Sequence, residues 1–494
     1  MLHCIPPGIL SFSTGYVIEG SAVTALGDLI RTPDADGNLR TNVIEIIFKG
    51  STLITGSEIV LFQAYNGSSG TSTAIQSNTS NQIRCDFGVG GSIVSDPVLR
   101  DPAAWYHLIF AIDTTQATNT NRGRLFLNGT QLALASATWP DQNTDGQLND
   151  QVGHAFMSIF DGRDAAHFDG YMARAAIYDG LSVGVGGSTD LTPFGEVTDD
   201  GFWQINDVSD LTFGDEGVLM EGGAALAAGT DSSGNGNDFT KAGTITATKD
   251  SPTNDSVNNF GNYATLNPIV FDTGTTSYSE GNLRILNSST TATSTPVTIS
   301  LPNRQGDNGL YYAECRINAQ GNDTTYLGAA DSDWVGWQLG DNQLGYIAGT
   351  LGIRLGNDFK FQTYSNNSAG TYSDIVGVVG DHLRIAFDTN TGKTWVGFWD
   401  VSADAGYWLD NDGTKRTSDE PAAGTNENYT FPATIKNLLF GVAPRQYQSN
   451  NGDMTLKIEP DSWLAATPSG AVALGTQNLP TPAILNPDDH YYNV

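Results

Sequence analysis

The sequence predicts an all-β protein: two antiparallel β-sandwiches joined by an ordered irregular connector. Three observations lead there. Apolar residues recur with a period of two in many short runs, each bounded by Gly, Asn, Asp or Ser clusters, as half-buried strands and their turns do. Strong helix formers are scarce: only 11 of the 54 acidic residues are Glu, Lys and Arg together number 23, and Gly reaches 57. That balance disfavours helices. Finally, one hairpin pattern occurs once in each half of the chain.

The first sandwich is expected over residues 1–190, with strands at Val43–Phe48, Glu58–Ala64, His107–Asp113 and Arg124–Leu127. The second is expected over residues 276–467, with strands at Tyr311–Ile317, Leu383–Phe387 and Lys393–Trp399. The run His107-Leu-Ile-Phe-Ala-Ile-Asp-Thr-Thr-Gln116 aligns with His382-Leu-Arg-Ile-Ala-Phe-Asp-Thr-Asn-Thr391, identical at five of ten positions. Each copy is a strand, a polar turn and a returning strand. Leu108, Phe110 and Ile112 share one face, as do Leu383, Ile385 and Phe387. Residues 191–275 differ, being rich in Gly, Asp, Asn and Thr. Asp231–Asp238 reads as a turn cluster. The alanines at Ala224–Ala228 sit among glycines, which argues against a helix. Phe194, Phe202, Trp203, Phe213, Phe239, Phe260 and Tyr263 are too many rings for a floppy linker, so this connector should pack on one or both sandwiches. Residues 468–494 read as an extended C-terminal tail able to dock on a neighbour.

A chain of 494 residues exceeds one small domain. Its net charge of −31 leaves no basic face for nucleic acid or an anionic membrane. Yet only 16% of residues are charged and 39% are apolar, enough for real cores. No run of 18 apolar residues is present to insert in a membrane. The N-terminus lacks the basic and apolar regions of a signal peptide, so synthesis in a cytoplasm is expected. Cys4, Cys85 and Cys315 form no CxxC pair and are expected to be unpaired thiols.

Several motifs carry a family likeness. Trp105-Tyr-His-Leu-Ile-Phe-Ala-Ile-Asp113 followed by Gly123-Arg-Leu-Phe-Leu-Asn-Gly129 resembles the central hairpin of concanavalin A-like, laminin-G-type lectin modules. Leu29–Asn38 with the strand after it, and Phe168–Gly180, resemble the opening and closing strands of such modules in bacteriophage proteins. Thr230–Phe239, Asp250-Ser-Pro-Thr-Asn254 and Asn262–Pro268 are similar to a linker of phage tail-fibre-like proteins. Gly309–Cys315, Gly380–Gly392 and Tyr429-Thr-Phe-Pro432 resemble a SPRY-like sandwich, and Leu479–Pro487 its exit in the same phage proteins. The likeness implies two concanavalin A-like jelly rolls in a tail fibre, spike or tip on a virion surface. It implies other virion proteins and a host surface glycan or receptor as partners, and a homo-oligomer, most often a trimer. No shaft, coiled coil or collagen repeat is present, which favours a globular tip or knob.

Catalytic patterns are missing. A glucanase on this fold would place two carboxylates on one strand face as Glu-x-Asp-x-(x)-Glu, and no such run occurs. There is no Gly-x-Ser-x-Gly elbow or Cys–His pair, and His107 and His382 read as structural. A non-enzymatic role follows, with a ligand-free head-decoration or cement protein and a polysaccharide-degrading enzyme as alternatives. For sugar binding, which stacks a ring on the apolar sugar face and surrounds it with Asp and Asn, the candidates are Trp334 and Trp337 with Asp331, and Tyr407 and Trp408 with Asp404. Core packing competes for each ring. No cofactor is expected beyond calcium, whose oxygen ligands could come from Asp34, Asp36 and Asn38, from Asn143 and Asp145, or from Asp410, Asn411 and Asp412. Hairpin turns are the competing reading of these clusters.

Overall fold

In the computed structural model the described residues are 16–50, 58–66, 72–157, 168–182, 190–199, 201–269, 276–290, 294–303, 309–319, 325–334, 344–345, 347–355, 359–444 and 451–479. They form an all-β protein of antiparallel sheets. The chain divides into two compact units, meeting between residues 262 and 263. Each run expected as a strand is one, with ends shifted by two residues at most.

In the first unit the strand Ser21–Arg31 joins two arms of sheet. Its start pairs with Gly170–Met172 and its end with His154–Phe156. One arm continues through Gly170–Asp179, Thr41–Gly50, Tyr106–Asp113 and Gly123–Leu127. The other runs through Gly153–Phe156, Ile59–Tyr65, Thr73–Ser77, Gln82–Phe87, Ser92–Val98 and Leu134–Thr138. Period-two alternation sends Ile44, Ile46, Leu108 and Phe110 from the first arm into one core with Ile75, Cys85 and Ile93 from the second. Phe87 and Phe110 meet there at 5.4 Å between centroids.

As far as residue 262, the segment read as a connector is built into this unit. Val218–Glu221 pairs with Arg174–Ile177, and Thr240–Thr248 runs along Ser21–Ile30. The Asp231 turn cluster has no strand, as expected; its carboxylate accepts from the backbone N–H of Leu219, Ser233 and Asn237. One expectation fails. Gly223–Ala228 is a short α-helix. The flanking glycines cap it rather than break it: Gly229 takes the left-handed conformation and its N–H reaches the carbonyls of Ala225 and Leu226, while Leu226 is buried in the core.

The second unit has two sheets. One holds Thr276–Ser279, Arg284–Asn287, Gly452–Lys457, Leu310–Ala319, His382–Asp388, Lys393–Asp400 and Ala405–Leu409. The other holds Asn437–Ala443, Thr325–Asp331, Thr350–Leu355, Lys360–Ser365 and Ser368–Val376. Cys315, Leu383, Ile385 and Phe387 face the core between them, and Phe361 stacks on Phe398 at 3.9 Å. Within the stretch read as a tail, Ala471–Ala473 pairs in parallel with Leu310–Tyr312. Cys85 and Cys315 are buried free thiols, which burial pushes above the ordinary cysteine range; Cys4 lies outside the described residues.

The repeated hairpin has a buried counterpart. His107 is opposite Ile47 and Glu45 is opposite Ile109; His382 is opposite Arg316 and Glu314 is opposite Arg384. In both units a histidine and a glutamate are thus diagonal neighbours on the sheet face turned away from the core. His107 Nε2 lies 2.8 Å from Glu45 Oε1, and His382 Nδ1 lies 2.6 Å from Glu314 Oε2. A tyrosine hydroxyl donates to each carboxylate, Tyr178 at 2.5 Å and Tyr312 at 2.6 Å. Arg174 Nη1 donates to Glu45 at 2.7 Å, and the backbone N–H groups of Leu464 and Ala465 donate to Glu314 at 3.0 Å each. Burial opposes the charge on Glu45, but Arg174, His107 and Tyr178 overcome it and hold the carboxyl down at about 2.

Chain that follows each sandwich closes over these faces. Trp203 Nε1 donates to His107 Nδ1 at 2.9 Å, and Phe213 stacks on Tyr178 at 4.8 Å. Nearby, Lys49 is fully buried. It is paired with Asp250, is 3.0 Å from Asn262 Oδ1, and lies over the Tyr171 ring at 4.5 Å. In the second unit Trp463 meets Tyr312 edge-on at 4.8 Å.

The folded-state value of Glu45 is below its unfolded one, so its contribution to stability is present above the unfolded value and is lost as pH falls toward 2. The shift corresponds to roughly 3 kcal/mol. Denaturant titrations should show wild type more stable than Glu45→Gln above about pH 5, with the gap closing on acidification. A gap that stays constant down to pH 2 would contradict the ionised network.

Candidate functional site

The outer face of the second arm of the first unit carries a polar groove, beside a buried patch of Val60, Gln63 and Ala74. Register explains why. Ala74 is opposite both Gln63 and Asp86, Asp86 is opposite Ser92, and Ser92 is opposite Thr138. Residues opposite one another point the same way, so one row crosses five antiparallel strands, polar at every position but Ala74. Gln76 opposite Arg84 supplies a second row on the same face. The alternate residues Ile75, Cys85 and Ile93 face the core. The outward residues line a groove enclosing about 400 Å³, with Glu58 and Ser72 also in its lining.

Glycines form one rim. The hairpin after Asp86 carries Gly88, Gly90 and Gly91, and Phe87 N–H bonds the Gly91 carbonyl at 3.0 Å. Gly88 has φ +77°, and a Cβ there would come within 2.6 Å of Thr73 Oγ1. A larger residue would strain the turn that shapes this rim. Arg84 and Asp86 are paired across the groove floor, with Nε and Nη2 each 3.0 Å from Oδ1. Burial pushes the Asp86 carboxyl above its usual range and the charge of Glu58 adds to this, against the pull of Arg84. None of the described lining residues is aromatic. The groove therefore offers amide, hydroxyl and carboxylate groups that meet a ligand by hydrogen bonding rather than by ring stacking.

The residues expected to bind sugar sit elsewhere. Trp408 is 4% exposed, lies under the Arg384 guanidinium at 3.9 Å, and packs with Tyr312 and Trp395. Burial pushes the Arg384 value below the ordinary arginine range. Tyr407 is the next residue on the same strand, so it faces the opposite way, toward Phe398 at 5.4 Å. The two rings cannot form one platform. Asp404 is an exposed turn residue with φ +51°. Asp331 closes a turn by accepting from the Asp333 N–H at 3.1 Å, and Trp334 is partly buried against the core of the second unit. Trp337 lies outside the described residues.

The calcium candidates are likewise turn groups. Asn38 Oδ1 accepts from the N–H of Arg40 and Thr41, starting the next strand, and Asp36 accepts from Gln151 at 3.1 Å. Asp34 is exposed. Asn143 takes φ +62° and Asp145 pairs with Arg40. Asp410 pairs with Arg416, Asn411 bonds Thr363 and Asn428, and Asp412 caps Thr414. Among the described residues no three His, Cys, Asp or Glu side chains gather closely enough to hold a metal ion. His154 is buried and neutral: its Nδ1 is 2.8 Å from the Val152 carbonyl, Nε2 accepts from Asn149 N–H, and burial brings its value to about 4.

Sequence reading missed the groove because its signal is weak. Gln63, Gln76, Arg84 and Asp86 are ordinary residues for the wet face of a strand, and only the register brings them together.

No family model matches the sequence, and no curated protein matches it. Among solved structures, the mouse laminin alpha1 chain domains LG4-5 share 8% identity over 92% of this chain and 92% of that one, with a TM-score of 0.31. The TRIM65 PSpry domain shares 15% identity over 39% of this chain and 88% of its own, with a TM-score of 0.26. The LG1-3 region of the laminin alpha2 chain shares 10% identity over 89% of this chain and 62% of its own, with a TM-score of 0.34.

Removing the Trp408 indole should act on packing. Trp408→Ala is expected to lower stability by roughly 3–5 kcal/mol in chemical denaturation. A loss under about 1 kcal/mol would show that the ring is not part of the packed layer.

Proposed function

We propose that this chain is a non-enzymatic saccharide-binding surface protein whose ligand lies in the polar groove of the first unit. The observation that carries the reading is the cluster of Gln76, Arg84, Asp86, Ser92 and Thr138, brought by register onto one face of neighbouring strands in a recess of about 400 Å³. That volume suits a small oligosaccharide segment. Converging amides and hydroxyls suit a ligand covered in hydroxyl groups, and ionised carboxylates are strong acceptors for them. The motifs shared with phage tail-fibre-like proteins support a virion setting, in which the protein would be displayed in several copies, as a trimer, and contact a host surface glycan. Many displayed copies would raise a weak single-site affinity through multivalency.

The test is a glycan array followed by calorimetry on the best ligand. Gln76→Ala should weaken binding by about tenfold, the loss of one or two hydrogen bonds, with an unchanged melting temperature. A loss of binding in Trp334→Ala, with Gln76→Ala unaffected, would move the site to the second unit.

A further inference from the structure

We infer that the groove selects uncharged saccharides and rejects acidic ones, an inference that rests on the saccharide-binding function proposed above. Its lining carries two carboxylates, Glu58 and Asp86, and one guanidinium, Arg84. The guanidinium is already engaged, since both its Nε and its Nη2 lie 3.0 Å from Asp86 Oδ1. What remains is one surplus negative charge, set among the neutral side chains of Gln76, Ser92 and Thr138.

A uronate carboxylate, a sulfate or a phosphate entering this recess would meet no uncommitted cation among the described lining residues. It would face the carboxylates of Glu58 and Asp86, and around the half-buried Asp86 screening by solvent and salt is weakened. The chain as a whole adds to the barrier, because its net charge of −31 repels an anionic polymer before contact. A neutral sugar meets neither cost. Its hydroxyl groups can donate to the Asp86 and Glu58 carboxylates and exchange bonds with Gln76, Ser92 and Thr138. The Arg84–Asp86 pair thus acts as a charge filter: Asp86 neutralises the one group that would otherwise attract an acid.

The test uses the full chain at low salt on an array of neutral, uronate-bearing, sialylated and sulfated oligosaccharides. The best neutral ligand and hexagalacturonate are then compared by calorimetry. The neutral ligand is expected to bind at least about tenfold more tightly. Asp86→Asn, which releases Arg84, should narrow that gap by about tenfold. Glu58→Gln, at an exposed position, should narrow it in the same direction and serves if the Asp86 variant does not fold. Acidic glycans binding as well as neutral ones would overturn the selectivity while leaving the saccharide-binding function standing. Binding of no glycan on the array would overturn the function and the selectivity with it.

Discussion

A carboxylate buried on the wrong side of a sheet is the constraint around which both units are arranged. Glu45 and Glu314 point away from the cores, where a strand would ordinarily meet water, yet both are fully buried. An ionised group in that position is tolerated only with charge partners and a full set of hydrogen bonds. Each glutamate has a histidine on the neighbouring strand and a tyrosine hydroxyl. The remaining partners differ: an arginine for Glu45, and two backbone N–H groups for Glu314. The partners of Glu45 all lie on strands of the sandwich, whereas two of those of Glu314 come from the chain after it, and in both units further chain covers the face. Phe194, Trp203 and Phe213 close one face, and Trp463 and Ala471 pack over the other.

The closing chain also explains where a ligand can go. In the first unit the arm carrying Glu45 and Lys49 is sealed on its outer side, with Trp105 and Lys49 both meeting Asp250. The opposite arm carries the polar groove on its outer face, where Glu58 and Thr138 are exposed and Gln76, Arg84, Asp86 and Ser92 are half-buried. One sheet face is closed around its charges, and the other stays free to exchange hydrogen bonds with a partner. The asymmetry is a property of register, since a one-residue slip would turn Gln76, Arg84 and Asp86 inward and Ile75 and Cys85 outward.

Much of the fold is legible in the sequence, because period-two alternation and turn chemistry are local signals. His107 and His382 could be read as equivalent from the repeated decad, and the structure gives each the same diagonal glutamate. Those glutamates were not legible. Glu45 and Glu314 lie in otherwise apolar runs with no nearby sequence mark of their partners, 62 and 68 residues away in His107 and His382. The helix at Gly223–Ala228 was missed because flanking glycines read as breakers when they act as caps. The aromatic candidates illustrate a further limit. Tyr407 and Trp408 are adjacent in sequence, which suggests a shared platform, but adjacent strand residues face opposite ways. The polar groove is the converse case: most of its residues lie on successive strands of one meander, and only the register shows which of them share a face.

The central claim, that the polar groove of the first unit is the ligand site, is tested most directly by a crystal structure of the full chain with a bound oligosaccharide. The account predicts sugar density over the cluster from Gln76 to Thr138, with hydroxyl groups within hydrogen-bond distance of Gln76 and Asp86. Density stacked on Trp334 or Tyr407, with the groove of the first unit empty, would contradict it.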